Sequence, residues 1–296
     1  MPSLRQIRYF IAAAEANKIN AASASLGISQ SSVTTAIQQL EAELGVSLFT
    51  RKSSGISLTI EGARFLNQAR NIEATVSDAV RSMRNGINRI KGQLRVGLTY
   101  AVSGYFILPL LARFRRAFPE LSVKILEEPR PELERLLKED SIDVALMIVS
   151  NVEDRTRIAQ KPMLRSRRRL WLPSGHPFLR RPTVTLSEIA KEPHVVLTAD
   201  EADRSVGAIW RKHHLKPNIV FRTASVEAVR SMVSTGAAVT ILSDMVYRPW
   251  SIEGSRIEKK DVAVKIPTMD VGLAWLKTRP LSDAAVLFDE FLRAAA

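Results

Sequence analysis

The stretch at residues 21–45, AASASLGISQSSVTTAIQQLEAELG, constrains the fold more than any other part of the chain. It sets two short apolar-faced segments on either side of Gly27, and it holds no Lys or Arg although the chain carries a formal net charge of +13. Ahead of it, Leu4, Ile7, Ile11 and Ala14 recur at helical spacing behind Ser3, a residue type that caps helices, so a first helix is predicted over about 4–16. Asn20 is expected to cap a second helix whose Ala21, Ala22 and Leu26 face inward, with Gly27 supplying the positive-φ residue that ends it. Beyond the turn Gly27-Ile28-Ser29, residues Val33, Ile37, Leu40 and Leu44 mark one buried face of a third helix. Two helices joined by a tight glycine turn and closed by a third are the layout of a helix-turn-helix.

With Val33, Ile37 and Leu40 turned inward, the outer face of the third helix offers Gln30, Ser31, Thr34, Thr35 and Gln38. In a major groove such groups read base edges: Gln suits adenine, and Ser or Thr can donate, accept or touch a thymine methyl, whereas charges mostly hold phosphate. On an isolated helix a Ser/Thr/Gln face would more simply be solvated. The preceding helix and glycine turn favour readout here. The next segment, VSLFTRKSSGISLT at 46–59, alternates apolar residues around Ser53-Ser54-Gly55 and predicts a hairpin with Arg51 and Lys52 near its tip. Such a wing reaches an adjacent minor groove.

These motifs resemble the DNA-binding domain of the LysR-type transcriptional regulators: AAxxxLxISQ at 21–30, LExELG at 40–45, LFxR at 48–51 and LTxxG at 58–62. The resemblance implies that Gln30, Ser32, Thr34 and Thr35 meet DNA, with Arg51 in the wing. Two positions depart from the family pattern: Thr35 stands where members often carry Arg, and Ser54 where a second wing Arg is common. The implied organisation is α/β with three parts. A winged helix-turn-helix (1–60) is followed by a linker helix (61–90) and a two-lobed effector domain (91–296) like the type 2 periplasmic binding proteins.

From Thr59 to Arg89 there is no proline, and Ala69, Val76, Met83 and Ile90 recur every seven residues beside a second row, Leu66, Val80 and Ile87, that Glu73 interrupts next to Ile72. A helix of about 30 residues would extend roughly 45 Å, and its seam predicts pairing with a second such helix. The segment RIKGQLRVGLT at 89–99 marks the next boundary. Beyond it, strands are predicted at about 94–99, 121–127, 143–149, 163–172, 194–198, 218–223, 238–242 and 271–276. They alternate with helices near 103–117, 130–139, 202–214, 225–235 and 282–294, an α/β pattern with mostly parallel sheets. Local echoes of the family are LPLLARFRRAFPEL at 108–121 and PSGHPF at 173–178. The resemblance implies lobe one at 94–163 and 267–296 and lobe two at 164–266, with crossings near Pro162 and Pro267.

Ligand sites in open α/β sheets lie beyond the carboxyl ends of strands, where helix starts point donors into a crevice. The candidates are Thr99 and Ser103 after the first strand, Val149, Thr198, Asp200, and Ser225 at the start of a helix. For Ser103 and Ser225 simple helix capping uses the same geometry. A carboxylate or aromatic acid would suit both the donors and the apolar Tyr105, Phe106 and Ile107.

Composition sets the outer limits. At 296 residues the chain exceeds one ordinary domain, and its 46% hydrophobic and 25% charged residues suit a globular protein. The 43 Lys+Arg against 30 Asp+Glu favour an anionic partner, nucleic acid before acidic lipid. Residues 1–90 hold 10 basic and 6 acidic side chains, so most of the excess lies outside the helix-turn-helix. Zero cysteines fit a reducing cytoplasm. The apolar patch Tyr9–Ala14 is too short for a secretory signal, and the longest uncharged run, 17 residues between Arg95 and Arg113, contains glycines and a proline and falls short of a membrane span. His176, His194, His213 and His214 lack metal-ligand spacing, and no GxSxG elbow or GxxxxGK loop occurs. The basic run RSRRRL at 165–170 reads as a solvated or subunit-contact segment more readily than as a second nucleic-acid patch.

A solute-binding transport protein would leave residues 1–60 unused, a catalyst would need the missing constellation, and a non-specific nucleoid protein would not need an uncharged recognition face. The sequence therefore predicts a cytoplasmic, sequence-specific regulator that binds double-stranded operator DNA. It is expected to bind as a homodimer or homotetramer, to answer a small-molecule effector, and to use no cofactor and no membrane. RNA polymerase is a further candidate partner.

Overall fold

The structure, a computed structural model, describes residues 1–52, 55–84 and 90–295, without the side chains of 51–52, 77–84 and 295. It comprises two compact units, Met1–Asn88 and Arg89–Ala296.

The first unit opens with α1 (Leu4–Ala16), α2 (Ile19–Leu26) and α3 (Gln30–Leu44). Ser3 and Gln6 form a reciprocal capping box that starts α1. The cap of α2 differs from expectation. Lys18 occupies the N-cap position without a side-chain bond, and Asn20 and Ala21 lie on the exposed side of the helix, so Ala22 and Ser23 are the buried pair, with Leu26 packed inward as expected. Gly27 (φ 66°) ends α2 as expected, and Ser29 caps α3 by accepting from the Ser32 amide at 3.1 Å. Val33, Ile37 and Leu40 are buried against Ala13, Phe10 and Ile7 of α1, and it is this packing that fixes which face of α3 is left outward.

The hairpin β1 (Phe49–Lys52) and β2 (Gly55–Leu58) is antiparallel, pairing Phe49 with Leu58 and Lys52 with Gly55. The Glu41 carboxylate accepts from the Leu48 and Phe49 amides at 2.6 and 3.1 Å, and Phe49 packs on Phe10 with ring centroids 5.3 Å apart. The LTxxG motif also has a local cause. Thr59 accepts from the Gly62 amide and donates to the Ser47 carbonyl, and a Cβ at Gly62 would lie 2.0 Å from the Leu48 carbonyl oxygen.

The helix α4 (Ile60–Arg84) follows. Its first half is used differently from the predicted seam: Ala69 is fully buried among Ile7, Phe10, Ile11, Leu40 and Leu48, and Leu66 packs on the same cluster. The ion pairs Arg8–Glu73 and Arg70–Glu15 tie α4 to α1. The side chains of Val80 and Met83, residue Ile87, and in the wing the side chains of Arg51 and Lys52 and residue Ser54 lie outside what the structure describes.

The second unit begins with β3 (Gly92–Leu98). It continues through α5 (Tyr100–Val102), a π turn (Ser103–Ile107) and α6 (Leu108–Ala117), which form one uninterrupted helical run. Next come β4 (Leu121–Glu127), α7 (Arg130–Lys138), β5 (Val144–Ile148), β6 (Ile158–Ser166), β7 (Arg168–Pro173), α8 (Leu186–Ile189), β8 (Pro193–Leu197) and α9 (Ala202–Lys212). The chain closes with β9 (Asn218–Thr223), α10 (Val226–Ser234), β10 (Thr240–Ser243), β11 (Ile257–Lys260), β12 (Met269–Leu276) and α11 (Asp283–Ala295).

The larger sheet has the order β4-β3-β5-β12-β6, with β3 parallel to β4 and β5, and β12 antiparallel to β5 and β6. A second sheet, β10-β7-β11, is antiparallel, and the parallel pair β8-β9 joins it through the bridge His194–Val239. The sheets are therefore mixed rather than mostly parallel, because β12 returns from the far end of the chain between β5 and β6.

The single strand expected at 163–172 is two strands in two sheets, divided at Arg167. Pro162 is not at the crossing. It lies inside β6 opposite Gly272, beside a bulge at Met163 of β6, and the backbones run so close there that a Cβ on Gly272 would meet the Lys161 carbonyl oxygen at 2.3 Å. The basic run sits at this crossing and is largely ion-paired. Arg168 donates to the Pro267 and Thr268 carbonyls at 2.6 and 2.8 Å, and Arg169 pairs with Asp244 and Asp261. The segment thus staples the two connections between the sheets.

Candidate nucleic-acid interface and ligand site

The outward face of α3 is built by the packing just described. Gln30, Ser31, Ser32, Thr35 and Gln38 are exposed and Thr34 is half-buried. Their hydrogen-bonding capacity differs from residue to residue. Among the described residues, the side-chain amides of Gln30 and Gln38 and the Thr35 hydroxyl have no partner, so they are free to donate and accept. Thr34 donates its hydroxyl proton back to the Gln30 carbonyl at 2.9 Å, which leaves it an acceptor and a methyl group. Ser31 and Ser32 both meet the Ser29 hydroxyl, at 2.9 and 2.8 Å.

Ser29, missed in the sequence as a site residue, is therefore the hub that orients two expected ones. Its signal was its place directly after the glycine turn, where a helix cap is required. In the wing, Arg51 is paired in register with Ile56 and Lys52 with Gly55. The Ile56 amide donates to the Asn17 carbonyl at 3.1 Å and docks this hairpin on the end of α1.

The ligand candidates gather at the seam between the two sheets of the second unit. Thr99 immediately precedes the helical run 100–117; it is 1% exposed and its hydroxyl oxygen has no partner among the described residues. Ser103 is half-buried, with its amide already donating to the Thr99 carbonyl, and Thr198 is exposed. Val149 is buried at the start of a turn whose Asn151 donates to the Asp200 carbonyl at 3.2 Å. Ser225 is spent as the cap of α10, accepting from the Ala228 amide at 3.1 Å.

Asp200 differs most from expectation. Its carboxylate accepts from the Ala101 amide at 2.6 Å, so a donor expected to await a ligand is occupied from within. Burial pushes the Asp200 carboxyl above the usual carboxylate range, the Ala101 and Tyr100 amides pull it down, and the charges of Glu127 and Glu201 add to the rise.

The sequence did not disclose the partners of this seam. Arg130, 7% exposed, bonds the Glu201 carboxylate through two nitrogens at 2.9 and 2.7 Å and Glu134 at 2.5 Å. Only the Arg130–Glu134 pair, four residues apart, was visible as a pattern. Farther along, Tyr105 donates to Glu227 at 3.2 Å beneath the Arg248 guanidinium, 5.5 Å above its ring. Among the described residues no group of three His, Cys, Asp or Glu is placed to hold a metal ion, and no helix is long and apolar enough to cross a membrane.

Two family profiles match the chain. The bacterial regulatory helix-turn-helix protein, lysR family, covers residues 4–63, and the LysR substrate binding domain covers residues 88–296, more than half of the chain. An uncharacterized HTH-type transcriptional regulator of Escherichia coli (strain K12), YnfL, is 29% identical over 296 residues and 95% of each chain. A second one, YybE of Bacillus subtilis (strain 168), is 25% identical over 288 residues and 97% of each chain. The crystal structure of HinK, a LysR family transcriptional regulator from Pseudomonas aeruginosa, is 28% identical with a TM-score of 0.65, over 99% of this chain and 98% of that one.

Proposed function

This chain belongs to the LysR family of DNA-binding transcriptional regulators and is a regulator rather than an enzyme; from that premise we propose that it selects its operator through the uncharged face of α3 and answers a small organic anion bound between its two sheets. The observation that carries the first half is the set of unpartnered groups on Gln30, Thr35 and Gln38, with Ser31, Ser32 and Thr34 beside them. Arg51 and Lys52 in the wing supply phosphate and minor-groove attraction. The regulator acts in the cytoplasm as a homo-oligomer paired through the second half of α4, whose Val76 lies beyond the part packed on α1. RNA polymerase is the second macromolecule it would meet at a promoter.

Sequencing genomic fragments retained by the purified protein tests the operator reading. A shared motif in the retained DNA supports it; retention of all fragments alike, with one salt dependence, overturns it.

For the effector, the unpartnered Thr99 hydroxyl, with Ser103 and Thr198 nearby, supports a carboxylate. The apolar neighbours Tyr105, Phe106 and Ile107 support an aromatic body on that acid. Calorimetry with a panel of carboxylates on the parent and Ser103→Glu tests this: binding lost in the Glu variant supports the site, and undiminished binding overturns it.

A further inference from the structure

In the free chain, the amides that would meet an effector carboxylate already have an anion, and it comes from the opposite side of the seam. Asp200 reaches the Ala101 amide at 2.6 Å across 99 residues of sequence. The segment bearing it is held in an unusual backbone: Asp200 (φ 51°) and Glu201 (φ 59°) are consecutive non-glycine residues in the left-handed region. Such strain persists only where surrounding contacts impose it. Here those contacts are the Arg130–Glu201 pair and the Asn151 amide on the Asp200 carbonyl. The two neighbouring acids are therefore anchored differently. Glu201 is gripped by a buried guanidinium, while Asp200 has no Lys or Arg partner among the described residues and rests on backbone amides alone. Beside those amides the Thr99 hydroxyl, 1% exposed, has no partner among the described residues, so the site retains a polar group that Asp200 does not satisfy.

We propose that the Asp200 carboxylate is a tethered anion that competes with carboxylate ligands for the start of the helical run 100–117. This rests on the reading of the seam as the effector site. A ligand that wins the amides must displace Asp200 and release the strained Asp200-Glu201 pair, so occupancy is exchanged rather than simply gained. Asp200 is then a specificity-determining residue. It sets the threshold a carboxylate must pass, and it turns binding into a change in how one sheet holds the other.

The test replaces the tethered carboxylate with a free one. Asp200→Gly keeps the left-handed backbone without strain, and Asp200→Asn keeps an accepting oxygen without the charge. Thermal unfolding of the full chain, followed by tryptophan emission, is measured with sodium acetate and with sodium chloride at equal ionic strength. Acetate should raise the midpoint of Asp200→Gly in a saturable way, and chloride should not; the parent should not respond, and Asp200→Asn, whose neutral oxygen holds the amides more weakly, should respond between the two. Any carboxylate that binds the parent should bind Asp200→Gly about tenfold tighter, the factor expected if the occluded state holds about nine-tenths of the molecules.

Equal acetate responses in parent and Asp200→Gly, or none in a cooperatively folded Asp200→Gly, overturn the proposal. Should Asp200→Gly fail to unfold cooperatively, Asp200→Asn decides by calorimetry with acetate: tighter binding than the parent supports the competition, and equal binding overturns it. A carboxylate that binds parent and Asp200→Gly alike, and is lost in Ser103→Glu, keeps the effector reading and sinks the competition. Acetate capture by Asp200→Gly, with no carboxylate altering operator binding by the parent, supports the tethered anion and sinks the effector reading alone.

Discussion

On the outer face of α3, Gln30, Thr35 and Gln38 offer donors and acceptors that no described residue uses, whereas at the seam of the second unit Asp200, Glu201, Arg130 and Asn151 are bonded to one another. Solvent exposure explains the difference. Water satisfies the polar groups of an exposed helix face at little cost, so that face can stay open for a duplex. In a half-buried seam unpaired groups are several-fold more costly, and the chain fills it with its own side chains. On the proposed reading, the interface for a rigid macromolecule is pre-formed, while the site for a small molecule inside the fold begins self-occupied.

The largest effect expected from this contrast is at Arg130. Arg130→Ala would leave Glu134, itself 5% exposed, buried without its cation, and should lower the stability of the second unit by about 3–5 kcal/mol. All four tryptophans, Trp171, Trp210, Trp250 and Trp275, lie in that unit, so their emission in a urea titration reports it alone. An unchanged midpoint would show that the seam is not a structural network and would break the comparison.

A smaller effect follows from His194, whose two ring nitrogens are buried without a partner among the described residues, its ring edge-on to Trp210. Burial lowers its pKa from 6.5 to about 4. Because the folded value lies below the unfolded one, the neutral ring's contribution is complete above pH 6.5 and is lost as pH falls toward 4. The second unit should lose about 3 kcal/mol over that window, and His194→Phe should flatten this part of the profile. All four histidines lie in this unit, so operator binding carries no matching histidine titration from the first. A profile unchanged by His194→Phe would contradict the assignment.

The smallest effect belongs to the open face. Ser29→Ala removes the cap of α3 and should cost about 1 kcal/mol, with faster hydrogen exchange at the Ser32 amide and no change in tryptophan emission. Retained protection at Ser32 would remove Ser29 from its role as the hub of that face.

The same contrast decided what could be read from the sequence. In the first unit each motif residue acts at short range. Gly27 ends α2, Glu41 holds the start of β1, and Gly62 passes against the Leu48 carbonyl. Fixed spacing therefore carries the fold, and burial of Val33, Ile37 and Leu40 leaves the proposed reading face outward by geometry. The misplaced cap at Asn20 shows where this fails, since Lys18 starts α2 with no side-chain bond to announce it.

In the second unit the decisive contacts are distant in sequence. Asp200 meets Ala101, and β12 inserts antiparallel beside β5, and no local pattern encodes either. The run 163–172 read as one strand because both halves are extended; only the pairing of Ser166 with Met269 and of Arg168 with Ser243 shows that they belong to different sheets.

The measurement closest to the central claim compares parent and Gln30→Ala on the retained operator and on random DNA across a salt series. A good bidentate base contact discriminates by about 1–3 kcal/mol. The variant should therefore lose affinity for the operator by that amount, keep its affinity for random DNA, and keep the salt slope of both. Equal losses on operator and random DNA would contradict the claim that this uncharged face reads sequence.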